Sequence, residues 1–167
     1  MAKEYSHQLV TSISFGVTSG VITALGMIVG LHEATSSRLA VFAGIVVMAI
    51  ADGLADAAGF HVVEEAEMEN GKPKHNSREV WMTTIFTFFA VGGFILTFAI
   101  PILIFELGLA ILIDIIWGFF LIIVLNIYVA RAKKESVTGL VLGHVFLASF
   151  VVVVSYFTGK LIAAWIQ

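Results

Sequence analysis

Five stretches of this chain stay apolar for the full thickness of a lipid bilayer, and that feature decides what it can fold into. A hydrocarbon core of roughly 30 Å is crossed by about 20 apolar residues in a helix. Segments of that kind run approximately over residues 9–31, 39–63, 80–103, 107–130 and 137–166. The expected fold is therefore all-α and integral to the membrane, a single domain over residues 1–167 with five transmembrane helices. A content of 59% hydrophobic and 13% charged residues excludes an ordinary soluble domain.

With no cysteine in the chain, disulfides, thiolate metal sites and thiol nucleophiles are excluded. "MAKEYSHQ" at the N-terminus carries little charge and no cleavage site follows, so the first span is expected to be retained. Only "EEAEMENGKPKHNSRE" is a connection of any length, and its Asn-Gly-Lys-Pro core predicts a turn between polar helix ends. Pro101 and Glu106 mark a tight hairpin between spans three and four. Lys3, Lys72, Lys74, Arg78, Arg131, Lys133 and Lys134 fall on one side of the membrane, against Arg38 and Lys160 on the other. Seven basic residues against two predict a cytoplasmic N-terminus and a C-terminus outside.

Gly16 and Gly20, Gly26 and Gly30, and Gly139 and Gly143 are each spaced by four, a pattern that lets helix backbones approach closely in lipid. Generic packing explains such pairs as well, but four glycines in the first span predict an interface of its own, and with it a homodimer.

The second span carries acids. "LAVFAGIVVMAIA" runs without a turn signal into "ADGLADAAGFHVVEEAE", and at about 100° per residue Met48, Asp52, Asp56, Gly59, Val63 and Glu67 share one stripe. Asp52 lies roughly 20 Å from the outer end of the span, near the midplane, with Asp56 one turn deeper. Facing lipid, each would cost several kcal/mol, so a polar partner, water or a cation is required. Two acids one turn apart repel when both are ionised, so the pair favours a shared proton or a bound cation. They could instead accept hydrogen bonds from neighbouring helices, or cap a helix break at Gly53.

Thr18, Ser19 and Thr23 of the antiparallel first span lie at matching depth, and hydroxyls with backbone carbonyls can complete a cation's shell. Met48 and Met27 could add soft ligands that suit transition metals, or simply pack. His61, Glu64, Glu65, Glu67 and Glu69, with His75 in the loop, gather carboxylate and imidazole at the cytoplasmic helix end, the ligand types of Fe2+, Mn2+ and Zn2+. A solvated extension ion-paired with Lys72, Lys74 and Arg78 would carry the same residues. Asp114, Asn126 and His144 are further intramembrane polar groups, each explicable as a packing hydrogen bond, with Asp114 the best candidate for a proton relay.

"FGVTSGVITALGMIVG" in the first span resembles the signature of the vacuolar iron transporter family, with Phe15, Gly16, Gly20, Thr23, Gly26 and Gly30 at matching positions. The small-residue-rich second span with its glutamate-bearing extension is similar too. The likeness is close over residues 12–67 and compatible with the rest of the chain. It implies a homodimer of five-helix subunits that moves ferrous iron, and often manganese, out of the cytoplasm against protons along a path lined by spans one and two. Ser19 stands where that family has an aspartate, Asp56 where it usually has a methionine, and Phe60 where it has a glutamate. The family's long cytoplasmic helices are reduced here to about fifteen residues.

The function expected from the sequence is proton-coupled export of a divalent metal, Fe2+ or Mn2+. Glutamates and His61 would gather the ion; Asp52, Asp56, Ser19, Thr23 and Met48 would bind it. Divalent metal, protons, lipid and a second copy of the chain are the expected partners, with no nucleic acid and no permanently bound cofactor. A prokaryotic plasma membrane is expected ahead of an organelle membrane. The alternative is a non-transporting membrane dimer that acts as a scaffold or metal sensor through its acidic helix end. No His-Glu-x-x-His, Gly-x-Ser-x-Gly or phosphate-loop motif occurs, so an enzyme is not expected.

Overall fold

The structure, a computed structural model, describes residues 2–69, 71–134 and 136–166, and for residues 2–11, 17, 132 and 133 the backbone alone. Helix α1 (Ala2–Thr35) is followed by α2 (Arg38–Ala66), a two-stranded hairpin of β1 (Met68–Glu69) and β2 (Lys72–Pro73), α3 (Ser77–Thr97), α4 (Ala99–Ile104), α5 (Leu107–Lys133) and α6 (Val137–Ile166). Five helical stretches are long and apolar enough to cross a membrane: Ser12–Thr35, Arg38–Ala66, Ser77–Ile104, Leu107–Arg131 and Val137–Ile166. Helices suit such sequences because lipid offers no water to satisfy backbone N–H and C=O groups, and a helix pairs them internally.

Span three differs from its expected form, one helix over 80–103. It breaks at Phe98, because Pro101 has no N–H to offer the carbonyl of Thr97 and its ring crowds that oxygen. The Phe98 N–H turns instead to Ile95 O at 3.1 Å. Trp117 Nε1–H donates to Thr97 Oγ1 at 3.0 Å, bracing the break from α5.

In the long connection, antiparallel pairing of Met68 with Pro73 and Glu69 with Lys72 replaces the simple turn that the sequence predicts. Gly71 takes φ +76, which a glycine adopts without strain; residue 70, the other half of the Asn-Gly signal, lies outside the described residues. Asn76 then opens α3 through a capping box with Glu79, and Ser37 caps α2 by accepting from Ala40 N–H at 3.2 Å.

Helix α1 is the hub. Val21, Ala24, Leu25 and Ile28 are fully buried, and α1 packs on α2, α3, α5 and α6. Helix α2 turns the stripe Val41, Ile45, Ala49, Gly53 and Ala57 inward and shows Val47, Ile50, Leu54 and Val62 to the outside. The first-span glycines, expected at an interface between copies, are occupied within the subunit. Gly16 and Gly20 close on Ala90, Val91 and Ile95 of α3, while Gly26 and Gly30 close on Val151 and Ser155 of α6. Small residues mark a close approach without naming the partner. Gly143 has no neighbour within 4 Å of where a Cβ would stand.

Candidate functional site

The inward stripe of α2 leaves Met48, Asp52 and Asp56 on the edge of the helix that faces α1. There the two antiparallel helices form a register that steps by four residues on each side. Gly44 lies against Leu31 and Met27; Asp52 Oδ2 accepts from Thr23 Oγ1–H at 2.8 Å; the Asp56 carboxyl lies beside the Ser19 side chain; and Phe15 meets Phe60 edge-on, ring centres 4.5 Å apart. Each acid of α2 is thus matched by one hydroxyl of α1. The same register puts Met48 opposite Met27, and both pack against the core. Thr18 takes no part, since its hydroxyl donates to Ser14 O at 2.9 Å on its own helix.

Each acid keeps unused capacity. Thr23 has one proton, and its oxygen also lies 2.9 Å from Ser19 O, so it serves Asp52 or its own helix but not both. Asp56 Oδ2 is buried with no partner. Its carboxyl lines a groove of about 310 Å³ shared with Phe15, Ala55, Gly59, Phe60 and Val63. An acid that faces an apolar groove at this depth is costly unless neutralised by a proton or a cation.

His61, Glu64 and Glu67 are not drawn to the aspartates. His61 points to α3, where Nδ1 lies 2.9 Å from Thr84 Oγ1 and the ring meets Trp81 edge-on. Thr84 Oγ1 also lies 2.7 Å from Val80 O, so its one proton serves that carbonyl or His61 Nδ1, according to the tautomer of the imidazole. His61 lines a separate pocket of about 210 Å³ with Glu65, Pro73, His75, Ser77, Val80 and Trp81. Glu64 lies against Thr83, with Oε2 buried and unpartnered. Glu67 is held by its own hairpin: Lys74 Nζ donates to Oε2 at 2.6 Å, and His75 Nε2 lies 3.2 Å from the same oxygen. Those partners hold the Glu67 carboxyl below the usual carboxylate range, Lys74 foremost, and Glu67 in turn raises Lys74. Among the described residues no three His, Asp or Glu side chains come together as a metal-binding group.

Asn126 and His144 are satisfied within their own helices, by Ile122 O at 2.8 Å and Leu140 O at 3.0 Å. Asp114 is different: it is 0% exposed and neither carboxyl oxygen has a partner.

Sequence reasoning missed a buried hydroxyl seam between α1 and α3, where Thr87 Oγ1–H donates to Ser12 Oγ at 3.2 Å and Ser12 Oγ–H to Thr83 O at 3.3 Å. Its signal was present in Ser12 and Thr87, hydroxyls set into predominantly apolar spans; Thr83 contributes its backbone carbonyl, and its own hydroxyl is buried without a partner. No protein-family model matches the chain, and no curated protein is significantly similar to it.

Proposed function

We propose that the chain is a proton-coupled transporter that exports a divalent transition metal, Fe2+ or Mn2+, from the cytoplasm. The observation that carries this reading is the matched row of Asp52 with Thr23 and Asp56 with Ser19, deep in two apolar helices. A span that needed only a packing bond would be served by one acid; two acids one turn apart suit a doubly charged ion. With both carboxyls ionised, the pair supplies two negative charges and the hydroxyls of Ser19 and Thr23 supply neutral oxygens. The Met48 thioether would favour transition metals over magnesium or calcium. Protonation of both carboxyls removes the charge that holds the ion, so two protons displace one M2+ with no net change at the site.

Basic residues near the connection from α2 to α3 support a cytoplasmic N-terminus and an outer C-terminus, with the plasma membrane of a prokaryotic cell as the setting. The Asp56 groove opens on a face that also shows Val63 to the outside. A second copy seated there would shield the acid from lipid, so the homodimer is assigned to this face of α2 instead of to the α1 glycines.

The scaffold or sensor reading draws on one observation: Glu67 is tied to Lys74 and His75, and the glutamates at this end are not gathered into a metal-binding group. Uptake of Fe2+, Mn2+, Co2+ and Zn2+ into sealed proteoliposomes, with and without an imposed pH gradient, separates the two. Flux that follows the gradient is the transporter's outcome; silence for every metal from folded protein is the scaffold's.

A further inference from the structure

Where α1, α5 and α6 meet, at the end of the bundle opposite the β-hairpin, lies a groove of about 340 Å³. Val29 and Ile111 form its floor, 4% and 6% exposed. Leu112 of α5 and Val153 and Phe157 of α6 stand at its mouth, each more than half exposed. The mouth therefore opens sideways, toward lipid. From Gly108 to Ile115 the groove follows two turns of α5, about 10 Å at 1.5 Å per residue. At Gly108 a Cβ would meet nothing within 4 Å, so the absent side chain leaves the outer end of the groove open. In a membrane such apolar walls take up a neighbouring apolar chain, because an unfilled gap forfeits the contacts its lining would make.

The outer rim is polar and carries both signs of charge. Glu33 of α1 lines the groove, with His32 Nε2 4.0 Å from its Oε1. Tyr156 of α6 lines it as well, and Lys160, one turn further out and exposed, holds its Nζ 4.5 Å from the centre of that ring. Helices α1 and α6 close on each other at this level: a Cβ at Gly159 would stand 2.9 Å from Glu33 Cβ, which sets Glu33 and Lys160 side by side along the rim. Tyrosine and lysine at the end of a span reach into the headgroup layer. Alone they would anchor any phospholipid; the carboxylate beside them adds a preference.

We propose that this groove binds an ethanolamine phospholipid, with an acyl chain along Ile111, Ile115 and Val152, the phosphate at Lys160 and the ammonium at Glu33. The rim and the headgroup are complementary in charge. A purely anionic headgroup would bring a like charge to Glu33, and a choline headgroup has no N–H to donate. An ethanolamine ammonium has three, and a charge-assisted hydrogen bond to a carboxylate is among the stronger kinds. The second copy of the chain is assigned to α2, which contributes nothing to this groove. Lipid binding here is independent of the transporter reading.

The test titrates the purified protein in detergent with dioleoyl phosphatidylethanolamine and with dioleoyl phosphatidylcholine. Native mass spectrometry counts the bound lipid, and thermal unfolding follows its effect. Wild type should bind the ethanolamine lipid about tenfold more tightly, the difference expected from one hydrogen bond to a charged group. Glu33→Ala should abolish that preference, whereas Lys160→Gln should weaken both lipids alike, because the phosphate is common to them. Gly108→Leu, which fills the groove, should weaken both by about tenfold or more. Glycerophosphoethanolamine, the same headgroup without chains, should not compete. Equal affinity for the two lipids in wild type, or a preference that survives Glu33→Ala, would overturn the proposal. So would competition by the chainless headgroup, or a Gly108→Leu protein that turns monomeric with lipid binding unchanged, which would give the groove to a second copy. Should Gly108→Leu fail to fold, the Glu33 and Lys160 variants decide the matter.

Discussion

Thr23 Oγ1 lies 2.8 Å from Asp52 Oδ2 and 2.9 Å from the backbone oxygen of Ser19. With one proton to give, Thr23 donates to Asp52 when the acid is ionised. When the acid is protonated, Asp52 can donate to Thr23 and Thr23 to Ser19 O. Both charge states of Asp52 therefore find a hydrogen-bonded arrangement without moving a helix, which is what a carboxyl alternating between proton and metal requires.

Thr23→Val keeps the shape and removes both arrangements. Hydrogen bonds between transmembrane helices average about 0.6 kcal/mol, so thermal unfolding in detergent should show a loss of that order. Binding of Mn2+, measured by calorimetry, should weaken by roughly tenfold, equivalent to about 1.4 kcal/mol. Thr23→Ser should leave both near wild type.

Met48→Leu is close in volume and removes the thioether opposite Met27. Transport of Mg2+ and Ca2+ should be unchanged, while the preference for Fe2+ or Co2+ over them should fall by roughly tenfold if a ligand worth about 1.4 kcal/mol is lost. Competition between metals for uptake measures this directly. An unchanged preference would return Met48 to simple packing.

Glycines of different surroundings should respond differently to alanine. At Gly92 a Cβ would stand 2.8 Å from the backbone oxygen of Ala49, an atom that cannot swing aside. Gly92→Ala should therefore force α2 and α3 apart and cost about 1–3 kcal/mol. At Gly143 a Cβ meets nothing within 4 Å, and alanine there should stay within about 0.5 kcal/mol of wild type. Chemical or thermal unfolding of the two variants compares them.

Much of this site is legible in the sequence, and the remainder is hidden for definite reasons. The shared face of Met48, Asp52 and Asp56 follows from helical periodicity alone. The match of Ser19 with Asp56 follows only from the offset of α1 against α2, which the short turn at residues 36–37 and the seat of Gly44 on Met27 and Leu31 determine. Glycine spacing announces close approach, but whether Gly16 meets α3 or a second copy depends on the whole bundle. Pro101 signals a stop at its own position, while the break falls three residues earlier because the conflict lies with the carbonyl of Thr97. His61 reads from the sequence as one of a group with the glutamates, whereas its neighbours in the fold, Thr84 at Nδ1 and Trp81 at the ring edge, lie about twenty residues further along the chain.

The hairpin clasp has a pH dependence of known sign. Glu67 is held below its ordinary value of 4.5 by Lys74 and His75, so its contribution is fully present above that value and is lost as pH falls through the lower, folded one. Hydrogen exchange at the Lys74 amide, which donates to Glu67 O at 3.0 Å, should lose protection, after correction for intrinsic rates, as pH falls below the ordinary Glu67 value of 4.5. Glu67→Gln should show the reduced protection throughout.

Metal flux in Asp52→Asn/Asp56→Asn, beside wild type in the same liposomes, tests the central claim most directly. Asparagine keeps the size and a hydrogen-bond acceptor while removing both charges, so the double variant should fold and be at least as stable as wild type. It should carry no Fe2+ or Mn2+ above protein-free liposomes, while wild type moves them down the imposed pH gradient. Flux from the double variant equal to wild type would contradict the assignment of this acid pair as the transported metal's site.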